Sequence, residues 1–175
     1  MQRLFLITGC SGGGKSSLLA ELNRRGHGTV EEPGRRIVAQ ERAGSGNALP
    51  WNDMAAFARR ALTMAKQDFA AAAATPGLVF FDRGLVDAAV ALKASTGAPL
   101  ERTLDGMPRY ADTVFLAPPW PEIFANDQDR KHSFGVAKDE FDRIEAALLA
   151  LRYDVSILPK ESVAQRADFV LTSAL

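Results

Sequence analysis

The chain is predicted to be an α/β protein built on a mostly parallel sheet, and three observations carry that expectation. Strand-like and helix-like segments alternate from one end of the chain to the other. Gly9-Cys10-Ser11-Gly12-Gly13-Gly14-Lys15-Ser16 joins an apolar strand to a helix and fits the pattern G-x-x-x-x-G-K-[ST]. A second apolar run, Leu78-Val79-Phe80-Phe81, ends in an acid, Asp82.

The elements follow in order. Residues 3–8 read as the first strand, and the helix after the glycine-rich loop runs to Arg25, where Gly26 and Gly28 end it. A short strand is expected at 29–31. Pro33 suits the first turn of a helix through Ile37, Val38 and Glu41. Residues 43–50 read as a loop, and a long helix starts at Asn52 or Asp53 and continues to Ala74, its alanine-rich end having high helix propensity. Pro76-Gly77 stops it before the strand at 78–82. Helical segments are expected at 85–95 and 99–106, then a strand at 113–117 broken by Pro118-Pro119. Residues 120–135 are polar and irregular and read as a lid segment. An amphipathic helix over 137–151 carries Phe141, Ile144, Ala147, Leu148 and Leu151 on one face. The remainder reads as a strand at 154–158, a short helix at 161–166 and a final edge strand at 168–171.

Bulk properties narrow the function. A length of 175 residues suits one domain, 1–175, with a sizeable core. Lys+Arg and Asp+Glu both number 21, so the net charge is zero, which argues against an extended nucleic-acid surface. Fifteen of those 21 cations are arginine, which suits bidentate phosphate contacts. Cys10 is the one cysteine, so an intramolecular disulfide is excluded. It reads as a small loop filler or as a thiol activated by the positive loop around it. No apolar run has membrane-spanning length, and the chain opens straight into its first strand, so the expectation is a soluble cytoplasmic protein.

The chemistry follows from the residue types. In the run 9–16, Gly9, Gly12, Gly13 and Gly14 let the backbone approach phosphate oxygens, with N–H groups pointing inward at the positive end of a helix. Lys15 is placed to reach the β- and γ-phosphates, Ser16 to ligate Mg²⁺, and Ser17 to continue the nucleotide site. The rival reading is a plain glycine-rich turn, which requires neither Lys15 nor Ser16. Asp82, at the end of its strand, is placed to hold Mg²⁺, or else to cap the helix at Leu85. Arg83-Gly84 follows where hydrolytic motors carry Glu, which favours transfer to an acceptor over hydrolysis. Glu32, at the end of the second strand, is a candidate base for an attacking hydroxyl, with Arg35 one helical turn on to hold the acceptor. The sequence leaves open whether Glu31 or Glu32 faces the site, and whether this whole segment is a solvated charge cluster. Residues 126–132 read as a lid whose Arg130 could neutralise charge on a phosphoryl group in transit, or as a polar surface loop. Trp51, Phe57 and Trp120 are either stacking groups for an aromatic acceptor or packing residues.

Taken together, these motifs resemble the small single-domain AAA-type P-loop ATPase/kinase family. Within it the chain is similar to ribosylnicotinamide kinases and, more distantly, to nucleoside and nucleotide kinases. Glu32-Pro33-Gly34-Arg35 matches that family's Glu-x-x-Arg, Gln67 a glutamine late in the long helix, and Asp82-Arg83-Gly84 its Asp-Arg-Gly. Asp127-Gln128-Asp129-Arg130 departs from its Asp-Gly-x-Arg at the second position. The close, Leu158-Pro159 through Ser162-Val163 to Arg166, is also similar. The resemblance implies a P-loop NTPase fold with a five-stranded sheet in the order 2-3-1-4-5. It also implies that Glu32 is an acceptor ligand or base, Arg35 and Gln67 acceptor contacts, and Arg83 and Arg130 phosphate ligands.

The expected function is transfer of the γ-phosphoryl of Mg-ATP to the hydroxyl of a small, nucleoside-like acceptor. The partners would be a nucleoside triphosphate and that acceptor, with no nucleic acid and no membrane. The alternative is an ATP-binding or ATP-hydrolysing switch acting on a protein partner. A GTPase is disfavoured, because no Asn-Lys-x-Asp motif for reading guanine is present.

Overall fold

A computed structural model describes residues 3–123 and 134–174. The strands are β1 (Leu4–Gly9), β2 (Gly28–Val30), β3 (Val79–Asp82), β4 (Thr113–Ala117) and β5 (Asp154–Ile157). They form one sheet in the order β2-β3-β1-β4-β5, with every neighbouring pair parallel. The helices are α1 (Lys15–Arg24), α2 (Pro33–Ala43), α3 (Met54–Ala73), α4 (Leu85–Thr96), α5 (Leu100–Leu104), α6 (Phe134–Ala150) and α7 (Val163–Ala174), with a 3-10 turn at Pro121–Ile123.

Alternation along the strands splits the core into two layers. Leu6, Val79, Phe81, Val114 and Leu116 face the layer packed under α3, α4 and α6. Phe5, Ile7, Phe80, Phe115 and Ala117 face the layer shared with α1 and α7. Both faces of the central strands are covered, so they are almost continuously apolar, as buried parallel strands are. Phe5 stacks on Phe80 at 5.7 Å between ring centroids, which locks β1 beside β3 in the second layer.

The parallel pairing positions the chemistry. Ile7 is in register with Asp82, and Gly9 with Ala117. The carboxyl ends of β1, β3 and β4 therefore open onto one edge of the sheet, where open α/β sheets bind ligands.

One expectation is corrected. Residues 168–171 are not an edge strand. They belong to α7, which runs from Val163 to Ala174. The apolar trio Phe169-Val170-Leu171 imitates a strand, but the buried residues Arg166, Ala167 and Val170 recur at helical spacing. The signal was in the sequence. Ser162 and Gln165 form a capping box, in which the Ser162 hydroxyl accepts from the Gln165 amide at 3.4 Å and the Gln165 side chain accepts from the Ser162 amide at 3.3 Å.

Gly9 has φ of 120°, and a Cβ placed on it would lie 2.3 Å from the Ala117 carbonyl oxygen. Gly9→Ala is expected to lower stability by about 2 kcal/mol or more, since both backbone strain and overlap oppose it. Urea unfolding followed by circular dichroism checks this; a midpoint equal to wild type would contradict the close approach of β1 to β4.

Candidate active site

The loop from β1 to α1 wraps the start of the helix. Gly14 sits at the N-cap in the left-handed region, with φ of 72°. Lys15 is buried, and its ammonium donates to the carbonyls of Cys10 at 2.7 Å and Gly9 at 3.4 Å. Burial pulls its pKa down, Arg83 adds to the effect, and Asp82, Glu32 and Glu140 oppose it. A glycine-rich loop at a helix amino end around a buried ammonium has the character of an anion site.

Asp82 ends β3 and is almost wholly buried. Its Oδ2 accepts from the Ser16 hydroxyl at 3.5 Å, while Oδ1 is buried with no hydrogen-bond partner. Burial raises its pKa, Glu32 adds to that, and Lys15 counters. Asp82 does not cap α4; Asp87 does, accepting from the Gly84 amide at 3.0 Å. An orphaned carboxylate oxygen beside a serine hydroxyl fits a hard divalent cation that takes few protein ligands and completes its shell with water and phosphate oxygens. Among the described residues no group of three or more His, Cys, Asp or Glu could hold a metal without such help.

Arg83 follows in a left-handed backbone conformation, φ 60°, uncommon for a residue with a side chain. Three acids surround its guanidinium: Glu140 at 2.6 Å, Glu32 at 3.5 Å and Asp87 at 3.8 Å. Asp87 is itself hydrogen-bonded by the Thr8 hydroxyl. Glu140, on α6, also accepts from the Ser11 amide at 3.0 Å. Burial would raise the Glu140 pKa, but the charge of Arg83 and its hydrogen bond bring it down to about 2.

Arg166 from α7 bonds to the loop backbone. Only 1% exposed, it donates to the carbonyls of Gly13 at 2.9 Å and Gly14 at 3.3 Å, and its guanidinium lies 5.6 Å from the Trp120 ring centre. These bonds give the Gly13 and Gly14 carbonyls a buried charged donor.

Two cavities open here. The first, about 640 Å³, is lined by the loop residues 11–17, Asp82, Trp120, Ile123, Lys160–Val163 and Arg166. The second, about 810 Å³, is largely apolar and lies among α2, α3, α4 and α6, with Trp51, Met54, Phe57 and Ala61 in its wall. Ser11, Glu32, Arg35 and Arg83 line both.

The structure thus gathers Lys15, Ser16, Ser17, Asp82, Glu32, Arg35 and Arg83 around one junction. Glu32 lines the cavities while Glu31 is exposed, which resolves the choice the sequence left open. Glu32 is also paired with Arg35 at 3.2 Å, and both line the two cavities, whereas Glu31 and Arg36 line neither. Gln67 is not brought here: it is exposed on α3 and lines neither cavity. Trp120 borders the loop cavity, apart from Trp51 and Phe57. Cys10 is buried, and burial raises its thiol pKa against the pull of Lys15, so the activated-thiol reading does not hold. Arg130 and the expected lid motif at 127–130 lie outside the described residues. Glu140 was missed because nothing in its spacing separates it from its neighbours Asp139 and Asp142. The role of Arg166 as a clamp on loop carbonyls was missed because the contact spans 152 and 153 residues.

A family model described as an AAA domain matches residues 4–166. The chain belongs to the AAA domain family. No curated protein sequence matches it. Among solved structures, this AAA domain is similar to a NadR protein in complex with NR, at 21% identity and TM-score 0.68, over 99% of this chain and 50% of that one. The chain thus spans half the length of that NadR chain. It is also similar to deoxyadenosine kinase from M. mycoides with bound dATP, at 12% identity and TM-score 0.64, over 98% of each chain. The same kinase with products dCMP and dCDP gives TM-score 0.58 at 12% identity, over 98% of this chain and 97% of that one. These likenesses show that the α/β fold described above is shared with those structures. No described helix is long and apolar enough to cross a membrane.

The Glu140 carboxyl, ordinarily near 4.5, is held at about 2 in the native state. A depressed native pKa stabilises the fold fully above the unfolded value and loses that contribution as pH falls from there toward 2. Between pH 5 and 2, wild type is therefore expected to lose stability more steeply than Glu140→Gln. Urea midpoints measured across that range test this; parallel curves would contradict the Arg83–Glu140 pairing.

Proposed function

We propose that this AAA domain is an ATP-dependent phosphotransferase that moves the γ-phosphoryl of Mg-ATP to a hydroxyl of a small, nucleoside-like acceptor. The observation that carries this reading is the meeting of the two cavities at Ser11, Glu32, Arg35 and Arg83. A polar phosphate cradle beside a mostly apolar hollow is the arrangement that a charged donor and a small organic acceptor require.

In this reading the loop amides and Lys15 hold the β- and γ-phosphates. Ser16 and Asp82 would hold the divalent ion, which supplies charge neutralisation between the phosphates. The acceptor lies in the second cavity, its ring against Trp51 and Phe57. Glu32 takes the proton of its hydroxyl as the oxygen attacks phosphorus, and the bond from the γ-phosphorus to the bridging oxygen breaks to release ADP. Arg35 and Arg83 orient the acceptor and the transferring group. Arg130 is proposed to add a further cation, on the sequence alone. Gln67 has no part in this mechanism.

Purified protein supplied with Mg-ATP and a panel of nucleosides is expected to form ADP faster with one class of acceptor than without any. A response to a protein and to no small molecule would instead support the switch reading. Lys15→Ala is expected to abolish turnover and weaken ATP binding; turnover at the wild-type rate would refute the phosphate assignment. Glu32→Gln is expected to slow transfer by about 100-fold while ATP still binds. Unchanged transfer measured by product chromatography would remove Glu32 from the reaction.

A further inference from the structure

Glu140 stands at the same junction, and the proposed reaction makes no use of it. Its two oxygens are divided: one accepts from Arg83 Nη1 at 2.6 Å, the other from the Ser11 amide at 3.0 Å. One carboxylate therefore ties the phosphate loop to the residue that follows Asp82. Both of its partners line both cavities, whereas Glu140 itself lines only the larger, apolar one. Of the three acids around Arg83, Glu140 is the closest and the one hydrogen-bonded to it.

This pairing adds the one short hydrogen bond to an arginine whose other two acids, Glu32 and Asp87, stand at 3.5 and 3.8 Å. Arg83 starts from a left-handed backbone that a side-chain residue adopts only when its surroundings compel it. Its Nε is buried without a hydrogen bond. A long guanidinium arm has many rotamers, and a bridging carboxylate selects one of them. Because that carboxylate is itself anchored on the Ser11 amide, the guanidinium is set relative to the phosphate loop and not merely to α6.

We propose that Glu140 is a positioning residue for phosphoryl transfer, fixing the Arg83 guanidinium at the junction of donor and acceptor cavities in register with the phosphate loop. The proposal rests on the phosphotransferase reading. It differs from a purely structural ion pair in one respect. Glu140 acts through Arg83, so once Arg83 is removed the loss of Glu140 has little further effect on the rate.

The test is a double-mutant cycle on the full chain: Glu140→Gln, Arg83→Gln and both together, each checked for folding by circular dichroism. The kcat and the KM for Mg-ATP are measured with the best acceptor. If no acceptor stimulates turnover, the kinase reading fails, and the same cycle is then scored on the bare hydrolysis rate, where the positioning claim stands or falls separately. Glu140→Gln is expected to lower kcat by about 10- to 100-fold, the scale of a misplaced group, with KM within about twofold of wild type. The double variant is expected to be no slower than Arg83→Gln. An unchanged kcat, a loss confined to KM, or two losses that multiply in the double variant would overturn the proposal. Should Glu140→Gln fail to fold, Glu140→Asp serves, since it keeps the charge but withdraws it by one methylene. A fall in kcat of about 10-fold is expected, and a folded Asp variant with wild-type kcat would equally overturn it.

Discussion

The parallel pairing of β1 with β3 on one side and β4 on the other governs everything else in this molecule. Because all three run the same way, their carboxyl ends deliver Gly9, Asp82 and Ala117 to a single edge. The loop after β1 can then curl over β4 only because Gly9 carries no side chain against the Ala117 carbonyl. The same pairing leaves α1 pointing its amino end, and hence its unpaired amides, at the centre of that edge. Were β3 antiparallel, Asp82 would stand at the far end of the sheet and the Ser16–Asp82 contact could not form.

Around that edge lies an unusual concentration of buried charge: Lys15, Asp82 and Arg166, with Arg83 and Asp87 beside them. Taking ions out of water is costly unless each finds partners, and leaving one unpaired costs more. Here the cations are each met by partners: Arg166 by the carbonyls of Gly13 and Gly14, Lys15 by those of Cys10 and Gly9, and Arg83 by three acids. Among the described residues the buried side-chain atoms without a hydrogen-bond partner are the Oδ1 of Asp82 and the Nε atoms of Arg83, Arg166 and Arg36, of which only Arg36 lines neither cavity. Two of these belong to adjacent residues at the junction, and Arg83 also carries a strained backbone. Strain and unmet bonding potential on neighbouring residues are features that cluster at ligand sites. Exposed apolar side chains tell the same story, since Trp51, Met54 and Val136 line the larger cavity and Ile123 and Val163 the smaller.

What was legible in the chain before folding was what repeats locally or carries a rigid motif. The glycine-rich loop, Asp82 at the end of an apolar strand and nearly every helix could be read, because each is set by neighbours within a few residues. The strand order came from resemblance and agrees with the sheet. The strand wrongly read at 168–171 fell to a capping signal at Ser162 and Gln165, outweighed by a short apolar trio. Gln67 was named by likeness alone, and the turn of α3 leaves it in solvent.

By itself, then, the sequence determined the phosphate loop, its lysine, the acid opposite, and the alternation that commits the chain to a parallel sheet, since these depend on backbone preference and on the period of apolar residues. Only the tertiary structure decided which glutamate faces the site, that Cys10 is shielded, and that Glu140 and Arg166 both bond to the loop, at Ser11 and at Gly13 and Gly14. Those contacts join residues 129 to 153 positions apart. No local pattern encodes them, because a charged side chain on a helix surface has the same sequence signature whether it meets water or an arginine across the fold.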